Sequence, residues 1–147
     1  MTHMHDLLRF ILSPFSWLYG GITSLRNGLY NRGYKATFQP PIATVSIGNL
    51  TVGGTGKTPC VEYLLRLLQK QYTITVLSRG YGRQTKGYVR AEKGVTAQQI
   101  GDEPLQYFEK FTPNVHVVVC ESRVEGTEKL LVDYPETNLL ILDDAYQ

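Results

Sequence analysis

The sequence predicts an α/β fold in which a parallel sheet is flanked by helices. Short apolar segments typical of buried strands alternate with amphipathic segments typical of helices, which is the pattern of strand–helix–strand units. Hydrophobic residues make up 42% of the 147 residues and charged residues 19%, so the chain can bury the core of about one domain. The same composition argues against a wholly disordered chain.

The first 38 residues form a predicted amphipathic helical segment. Apolar residues recur at helical spacing from residue 4 to residue 29. Pro14 and the pair Gly20-Gly21 interrupt the apolar stripe and predict two short helices rather than one. Trp17 and flanking cations suit a membrane interface, while packing on the chain's own domain is the alternative. Neither a run of 18 apolar residues nor a signal-peptide cleavage pattern is present.

A pair of prolines divides this segment from the rest of the chain. Pro40-Pro41 cannot continue a helix, and the strand–helix alternation begins directly after it. We therefore expect two parts, a membrane-associating helical segment over residues 1–38 and an α/β domain over residues 39–147.

The elements of the second part follow from their apolar patterns. Continuous apolar segments predict strands over residues 42–48, 73–77, 115–120 and 139–142. Residues 58–69 are a predicted helix, because Val61, Leu64, Leu65 and Leu68 share one face. Residues 103–111 and 123–132 are predicted helices between the later strands. His116 lies inside an apolar strand and is predicted to be a core residue.

Charge is distributed unevenly along the chain. Residues 1–90 carry a net charge of +9 and residues 91–147 a net charge of −7, although the whole chain carries only +2. The net positive charge of residues 1–90 suits an anionic partner, such as phosphate groups, anionic lipid or nucleic acid. The alternative is that the two parts of one fold neutralise each other.

Cysteine usage excludes two classes of small protein. Cys60 and Cys120 are the only cysteines, which is too few for a disulfide-stabilised scaffold. They form no C-x-x-C pair, so a zinc site is not expected. Reduced thiols in a cytosolic compartment are the natural interpretation.

The strongest chemical signal is a phosphate-binding loop after the first predicted strand. Residues 48–58 have the sequence GNLTVGGTGKT and end in the G-K-T pattern of such loops. The glycines let backbone N–H groups turn toward an anion, Lys57 can reach the β- and γ-phosphates, and the Thr58 hydroxyl can bind Mg²⁺. The following helix adds the positive end of its dipole. Thr51 replaces the usual first glycine, so a glycine-rich turn without a ligand is the alternative.

A second signal is the pair of carboxylates that follows the last predicted strand. Asp143 and Asp144 come directly after the apolar residues 139–142, and ligands of parallel sheets bind at this carboxyl edge. The arrangement has the form of a Walker B element, in which an acidic residue holds Mg²⁺ beside the phosphates. A plain turn at the strand end is the alternative.

Two further segments are ambiguous by themselves. Residues 78–83, with the sequence SRGYGR, follow a strand and carry Arg79 and Arg83, whose guanidinium groups suit phosphate or a solvated loop equally well. Residues 101–104, with the sequence GDEP, are typical of a helix start, in which Asp102 is the N-cap and proline lies in the first turn.

Together, these segments resemble the tetraacyldisaccharide 4′-kinase family, the lipid A 4′-kinases of Gram-negative bacteria. The resemblance rests on residues 48–59, 78–82, 101–104 and 143–147, which occur in the family's order and spacing along most of the chain. The loop variant with Thr51 is similar to the family's own. Ala145-Tyr146 differs mildly, because the family usually has glycine and phenylalanine there.

The resemblance implies a P-loop NTPase-like domain that uses ATP and Mg²⁺ to phosphorylate the 4′-hydroxyl of a tetraacylated glucosamine disaccharide 1-phosphate. It implies Asp102 as the catalytic base, with Arg79 and Arg83 as weaker candidates for stabilising charge. The implied nucleotide-binding residues are Thr51, Gly53, Gly54, Thr55, Gly56, Lys57, Thr58 and Gln147. The implied Mg²⁺ ligands are Thr58, Asp143 and Asp144. The implied location is peripheral, on the anionic cytoplasmic face of the bacterial inner membrane, with no nucleic-acid partner.

Two other classes of function stay open at this stage. One is a nucleotide-binding switch or a metallochaperone-type P-loop NTPase, although the chain lacks an N-K-x-D guanine-reading motif. The other is a membrane-surface nucleotide-binding module. Binding of nucleotide separates this module from the enzymes, and dependence of turnover on a lipid acceptor separates the kinase from the switch.

We also expect these 147 residues to be an incomplete enzyme. The last predicted strand ends five residues before Gln147, and the resemblance implies a second α/β domain that supplies a histidine partner for Asp102. His3, His5 and His116 do not match that position. Because phosphoryl transfer depends on positioning and on exclusion of water, the chain alone is expected to bind ATP weakly and to transfer phosphate negligibly.

Overall fold

The computed structural model describes residues 13, 16–25, 28–29, 38–48 and 56–144. The chain divides into two compact units, residues 1–39 and residues 40–147. In the first unit, residues 16–25 form one helix, so the predicted break at Gly20-Gly21 is wrong. Glycine weakens a helix by about 1 kcal/mol but does not forbid helical backbone angles. In the described part of the chain, no helix has the length and apolar character needed to span a membrane.

The described part of the second unit contains five strands and four helices. The strands are β1 Ala43–Ile47, β2 Ile74–Ser78, β3 Val89–Arg90, β4 Val115–Val119 and β5 Leu139–Asp143. The helices are α1 Lys57–Leu68, α2 Ala97–Ile100, α3 Asp102–Phe111 and α4 Arg123–Asp133.

The strands form one sheet in the order β1-β5-β2-β4-β3. The first four strands in that order are parallel, and β3 is antiparallel to β4. Strand β5 lies between β1 and β2, with Asp143 in register with Ile47. Because ligands of parallel sheets bind beyond the carboxyl ends of the strands, this order brings the ends of β1, β5 and β2 together at one edge.

Helices cover both faces of the sheet. On one face, Val61 and Leu65 of α1 and Phe111 of α3 pack on residues of β2, β4 and β5. On the other face, Leu130 of α4 packs on Leu77, Val118 and Leu140. Every residue of β2 is buried, as expected for a strand covered on both faces. Full burial of each such apolar side chain contributes about 1.5–3 kcal/mol.

The predicted α/β class is confirmed. The four predicted strands and the three predicted helices of this unit are present, and each ends within one residue of its predicted bounds. The sequence analysis missed β3 and α2, which have two and four residues. Elements this short contain too few side chains to show a periodic pattern.

The prediction that His116 is a core residue is wrong. Its side chain is 29% exposed, and its Nε2 atom lies 3.1 Å from Glu136 Oε1. Its ring stacks on Tyr134 with centroids 4.0 Å apart. Side chains alternate between the faces of a strand, so an apolar neighbourhood in sequence does not bury each residue of β4 equally.

Candidate active site

The N-terminus of α1 is open to an anion. Gly56 is the N-cap, and its φ of 79° lies in the left-handed region that favours glycine. Among the described residues, no side chain caps this end of the helix, and its first turn contains no acidic residue. An uncapped helix N-terminus offers backbone N–H groups and a positive dipole end to a phosphate. The predicted loop residues Thr51, Gly53, Gly54 and Thr55, like Gln147, lie outside the described residues.

Lys57 and Asp144 form an ion pair across the site. The Nζ atom of Lys57 lies 2.5 Å from Oδ1 of Asp144, and the two side chains are 20% and 17% exposed. The hydrogen bond to Asp144 raises the pKa of Lys57, although burial acts in the opposite direction. The lysine therefore stays charged at the carboxyl edge of the sheet, close to the N-terminus of α1.

Asp143 is a buried carboxylate at the end of β5. Its side chain is 1% exposed, and its Oδ2 accepts a hydrogen bond of 3.2 Å from Ser78 Oγ at the end of β2. Burial raises the pKa of Asp143, and the nearby charge of Glu103 raises it further. A cation bound at this edge would favour the ionised form.

Arg123 holds the ends of β2 and β5 together. Its guanidinium donates hydrogen bonds to the carbonyl oxygens of Leu77, Asp143 and Asp144 at 3.2, 2.5 and 3.0 Å. Sequence analysis missed this residue. The available signal was its position, because Arg123 begins the helix that follows β4 and therefore lies at the same edge of the sheet.

The helices α1 and α3 meet at their N-terminal turns. Thr58 Oγ1 donates a hydrogen bond of 2.9 Å to Glu103 Oε1. Glu103 was not predicted as a site residue, although it lies beside Asp102 in the GDEP segment. Asp102 is the exposed first residue of α3, and Gly101 is the N-cap. The alternative prediction, in which Asp102 caps the helix, is therefore wrong.

Two glycines bring the loop after β2 against the start of α3. A Cβ atom on Gly80 would lie 2.8 Å from the carbonyl oxygen of Ile100, and one on Gly101 would lie 2.9 Å from that of Tyr81. Only glycine tolerates so close an approach of two backbones. The contact fixes the loop of residues 78–83 beside Asp102.

The two arginines of that loop differ in their surroundings. Arg83 is 3% exposed and is paired with Glu121 at 2.7 Å, and it also donates to the carbonyl oxygen of Gly87. These contacts hold Arg83 in a structural role, which argues against its predicted role as a stabilising charge. Arg79 is exposed at the edge of the sheet and stays a candidate for the stabilising charge.

The donor set fits Mg²⁺. The Thr58 hydroxyl and the carboxylates of Asp143, Asp144 and Glu103 present oxygen atoms, the ligands that this hard cation prefers. In the described ranges, no three His, Cys, Asp or Glu side chains are arranged as a complete metal site. Mg²⁺ does not need one, because one or two carboxylates suffice when phosphates and water supply the other ligands.

Comparison with known proteins points to one family. Residues 8–147 match the model of the family described as tetraacyldisaccharide-1-P 4′-kinase. A tetraacyldisaccharide 4′-kinase of Cytophaga hutchinsonii is 49% identical over 140 residues, which are 95% of this chain and 40% of the relative. A Flavobacterium johnsoniae protein of the same name is 46% identical over 142 residues, which are 97% of this chain and 42% of the relative.

A solved structure agrees with these matches. The crystal structure of an "apo" form LpxK from Aquifex aeolicus in complex with ATP has a TM-score of 0.77 and 40% identity to this chain. The match covers 95% of this chain and 45% of that protein. The chain thus spans about two fifths of the length of the curated relatives it matches. It belongs to the tetraacyldisaccharide 4′-kinase family.

Proposed function

We propose that this chain forms the nucleotide-binding part of a kinase that phosphorylates the 4′-hydroxyl of a tetraacylated glucosamine disaccharide 1-phosphate in lipid A biosynthesis. The observation that carries the proposal is the meeting of three elements at one edge of the sheet. The open N-terminus of α1 with Lys57 and Thr58, the end of β5 with Asp143 and Asp144, and the start of α3 all lie there. Family membership supports the same activity.

The residues have distinct roles in this proposal. The phosphates of ATP lie on the N-terminus of α1 and compete with Asp144 for the charge of Lys57. Thr58, Asp143 and Asp144 hold Mg²⁺, which neutralises phosphate charge when it is bound. Asp102 is exposed beside this edge and accepts the proton of the acceptor hydroxyl. Gly56 and the family-implied residues Thr51, Gly53, Gly54, Thr55 and Gln147 complete the nucleotide-binding set in this proposal.

The experiment uses a hybrid protein, in which residues 1–147 are joined to the part of the Cytophaga hutchinsonii relative outside the match. The hybrid is incubated in detergent with ATP, Mg²⁺ and the acylated disaccharide 1-phosphate, and the product is identified by mass spectrometry. We expect one added phosphate at the 4′ position and no ATP consumption with an acceptor already blocked there. ATP consumption at one rate with and without the acceptor would favour the nucleotide switch.

We further propose that the protein is peripheral to the membrane, on its anionic cytoplasmic face, where it meets its acylated acceptor. The support is the helix of residues 16–25, whose apolar side chains include Trp17 at 83% and Leu25 at 68% exposure. Exposed apolar residues on one short helix suit insertion at a lipid interface.

A pair of matched variants tests this membrane proposal. Leu18 and Ile22 are exposed and lie one turn apart, so the double variant Leu18→Glu, Ile22→Glu removes two apolar contacts with lipid. Ser16→Glu with Ser24→Glu adds the same charge at exposed polar positions of the helix. Sedimentation with anionic vesicles should show at least about tenfold weaker binding for the leucine–isoleucine variant alone. Equal binding of both variants and the parent would contradict the proposal.

A further inference from the structure

The backbone has an unusual conformation at the carboxyl end of β5. Asp144 has a φ of 56°, and every other residue with a positive φ in the described ranges is a glycine. Aspartate enters this left-handed region more readily than most residues, but the conformation still costs free energy. A residue held in this way persists only where its surroundings fix the backbone, and such residues concentrate at functional sites.

Arg123 holds the peptide groups on both sides of this residue. Its Nη2 atom donates to the carbonyl oxygen of Asp143 at 2.5 Å and to that of Asp144 at 3.0 Å. The first carbonyl belongs to the peptide group that precedes Asp144, and the second belongs to the one that follows it. The Nη1 atom donates to the carbonyl oxygen of Leu77 at 3.2 Å, which ties the turn to β2. The guanidinium therefore fixes the left-handed backbone of Asp144 against the neighbouring strand.

The position of α4 brings the guanidinium to these strand ends. A Cβ atom on Gly126, early in this helix, would lie 2.9 Å from both Cδ atoms of Leu77, so a larger residue would push α4 away from β2. The Ser122 hydroxyl accepts a hydrogen bond of 3.3 Å from the backbone N–H of Glu125, and this cap starts the helix at Arg123. The close approach of α4 and its start at this residue put the side chain within reach of three backbone carbonyls.

The carboxylates beside this turn have other partners. Asp143 Oδ2 accepts from Ser78, and Asp144 Oδ1 accepts from Lys57 at the start of α1. The three hydrogen bonds from Arg123 end on backbone oxygens. They therefore set the direction of the Asp144 side chain without occupying its carboxylate oxygens.

We propose that Arg123 is a positioning residue for the Mg²⁺ site, because it holds the left-handed turn from which the Asp144 carboxylate reaches the start of α1. In this role it acts through the backbone and touches neither the cation nor the nucleotide. The role has the opposite sign to the effect of its charge, since a positive charge near the site repels Mg²⁺. This inference rests on the proposed function, because it needs Asp144 as a cation ligand.

Three variants of the hybrid protein separate position from charge. Arg123→Gln removes both the charge and the guanidinium, whereas Arg123→Lys keeps the charge on a shorter side chain with one nitrogen in place of the fork. Arg90→Gln is the matched control, because Arg90 pairs with Glu92 and Asp133 away from the site. The melting temperature is measured without ligands and then with ATP over a range of Mg²⁺ concentrations.

The Mg²⁺ requirement distinguishes the two effects of Arg123. Arg123→Gln and Arg123→Lys should each need at least about tenfold more Mg²⁺ than the parent for half of the ATP-induced rise in melting temperature, and Arg90→Gln should keep the requirement of the parent. An unchanged or lower requirement in either Arg123 variant would overturn the role of Arg123 alone, because loss of a nearby positive charge by itself favours the cation. If Arg123→Gln does not fold, Arg123→Lys decides by the same criterion.

A double variant shows whether Arg123 acts through Asp144. Asp144→Asn removes the charge of the ligand and keeps a residue type that tolerates the left-handed turn. In this background, Arg123→Lys should change the Mg²⁺ requirement by less than about twofold. A further increase as large as in the parent would overturn the inference, because Arg123 would then act independently of Asp144. If ATP and Mg²⁺ do not stabilise the parent hybrid, the proposed function fails and the inference fails with it.

Discussion

Asp102 begins α3 with its carboxylate exposed and unused as a cap. We expect Asp102→Asn in the hybrid protein to slow phosphate transfer at least about a hundredfold, since general-base catalysis contributes that much. ATP binding should stay the same, and the unfolding free energy should fall by no more than about 1 kcal/mol, the value of a charge at a helix N-terminus. Glu109→Gln, at an exposed position of the same helix, is the control. Lower stability with normal transfer would show that Asp102 only supports the helix.

Asp143 combines a functional position with an unfavourable environment. Burial and the charge of Glu103 raise its pKa, so the ionised form destabilises the fold at neutral pH in the absence of Mg²⁺. In the hybrid protein, Asp143→Asn should therefore melt at or above the temperature of the parent in metal-free buffer, and should need at least about tenfold more Mg²⁺ for stabilisation by ATP. Asp133→Asn, which is outside the site, should keep the Mg²⁺ response. A normal Mg²⁺ response of Asp143→Asn would rule out Asp143 as a ligand.

At the residue scale, the sequence predicts the site side chains at the strand ends better than the long-range contacts that hold the site together. The structure brings together Lys57, Asp143 and Asp144, as predicted from two strand ends that share an edge. It adds Glu103, which contacts Thr58 at a distance of 45 positions along the chain, and Arg123, which contacts Asp143 at a distance of 20 positions. Such contacts depend on how α3 and α4 pack in the tertiary structure, and a local sequence pattern does not predict that packing.

The contact between α1 and α3 allows a pH prediction at the scale of elements. Hydrogen bonding from Lys110 lowers the pKa of the buried Glu62 below its ordinary 4.5, although burial opposes the shift. A lowered folded-state pKa contributes stability above about pH 4.5 that is lost as the pH falls through the folded value. Glu62→Gln should lose about 1–3 kcal/mol of unfolding free energy at pH 7, and the difference from the parent should shrink in acid.

Denaturant titrations at pH 7 and pH 4 measure this difference. The control is Glu128→Gln, which removes an exposed carboxylate on α4 and should change the unfolding free energy by less than about 0.5 kcal/mol. A stability loss for Glu62→Gln that is the same at both pH values would contradict the role of its charge. It would indicate that the side chain stabilises the contact between α1 and α3 by packing alone.

Element prediction was accurate where a side-chain pattern was long enough to be read. The four parallel strands are short apolar segments, and the helices α1, α3 and α4 carry apolar residues at helical spacing. The two-residue β3 pairs with β4 through backbone groups, and α2 is a single turn with a capping box of Thr96 and Gln99. Backbone pairing and a single turn leave little trace in composition, so these two elements were missed.

At the scale of the whole molecule, the uneven charge has a structural explanation. Basic residues within positions 1–90 pair with acidic residues within positions 91–147, as in Arg83 with Glu121 and Arg90 with Asp133. Lys57 and Asp144 form a third such pair, inside the candidate site. Mutual neutralisation therefore accounts for part of the charge pattern. An anion at the site would compete with Asp144 for Lys57.

The most direct test of the whole account compares two lysine variants of the hybrid protein in the phosphate-transfer assay. Lys57→Ala removes the charge assigned to the phosphates, and Lys70→Ala removes an exposed lysine just beyond α1. Loss of one charged contact to the transferring phosphate costs about 1.5–3 kcal/mol or more. We therefore expect Lys57→Ala to slow transfer by at least about tenfold, with the melting temperature of the parent nearly kept and Lys70→Ala fully active. If Lys57→Ala transferred phosphate at the rate of Lys70→Ala, the assignment of the phosphate-binding site to the open N-terminus of α1 would be wrong.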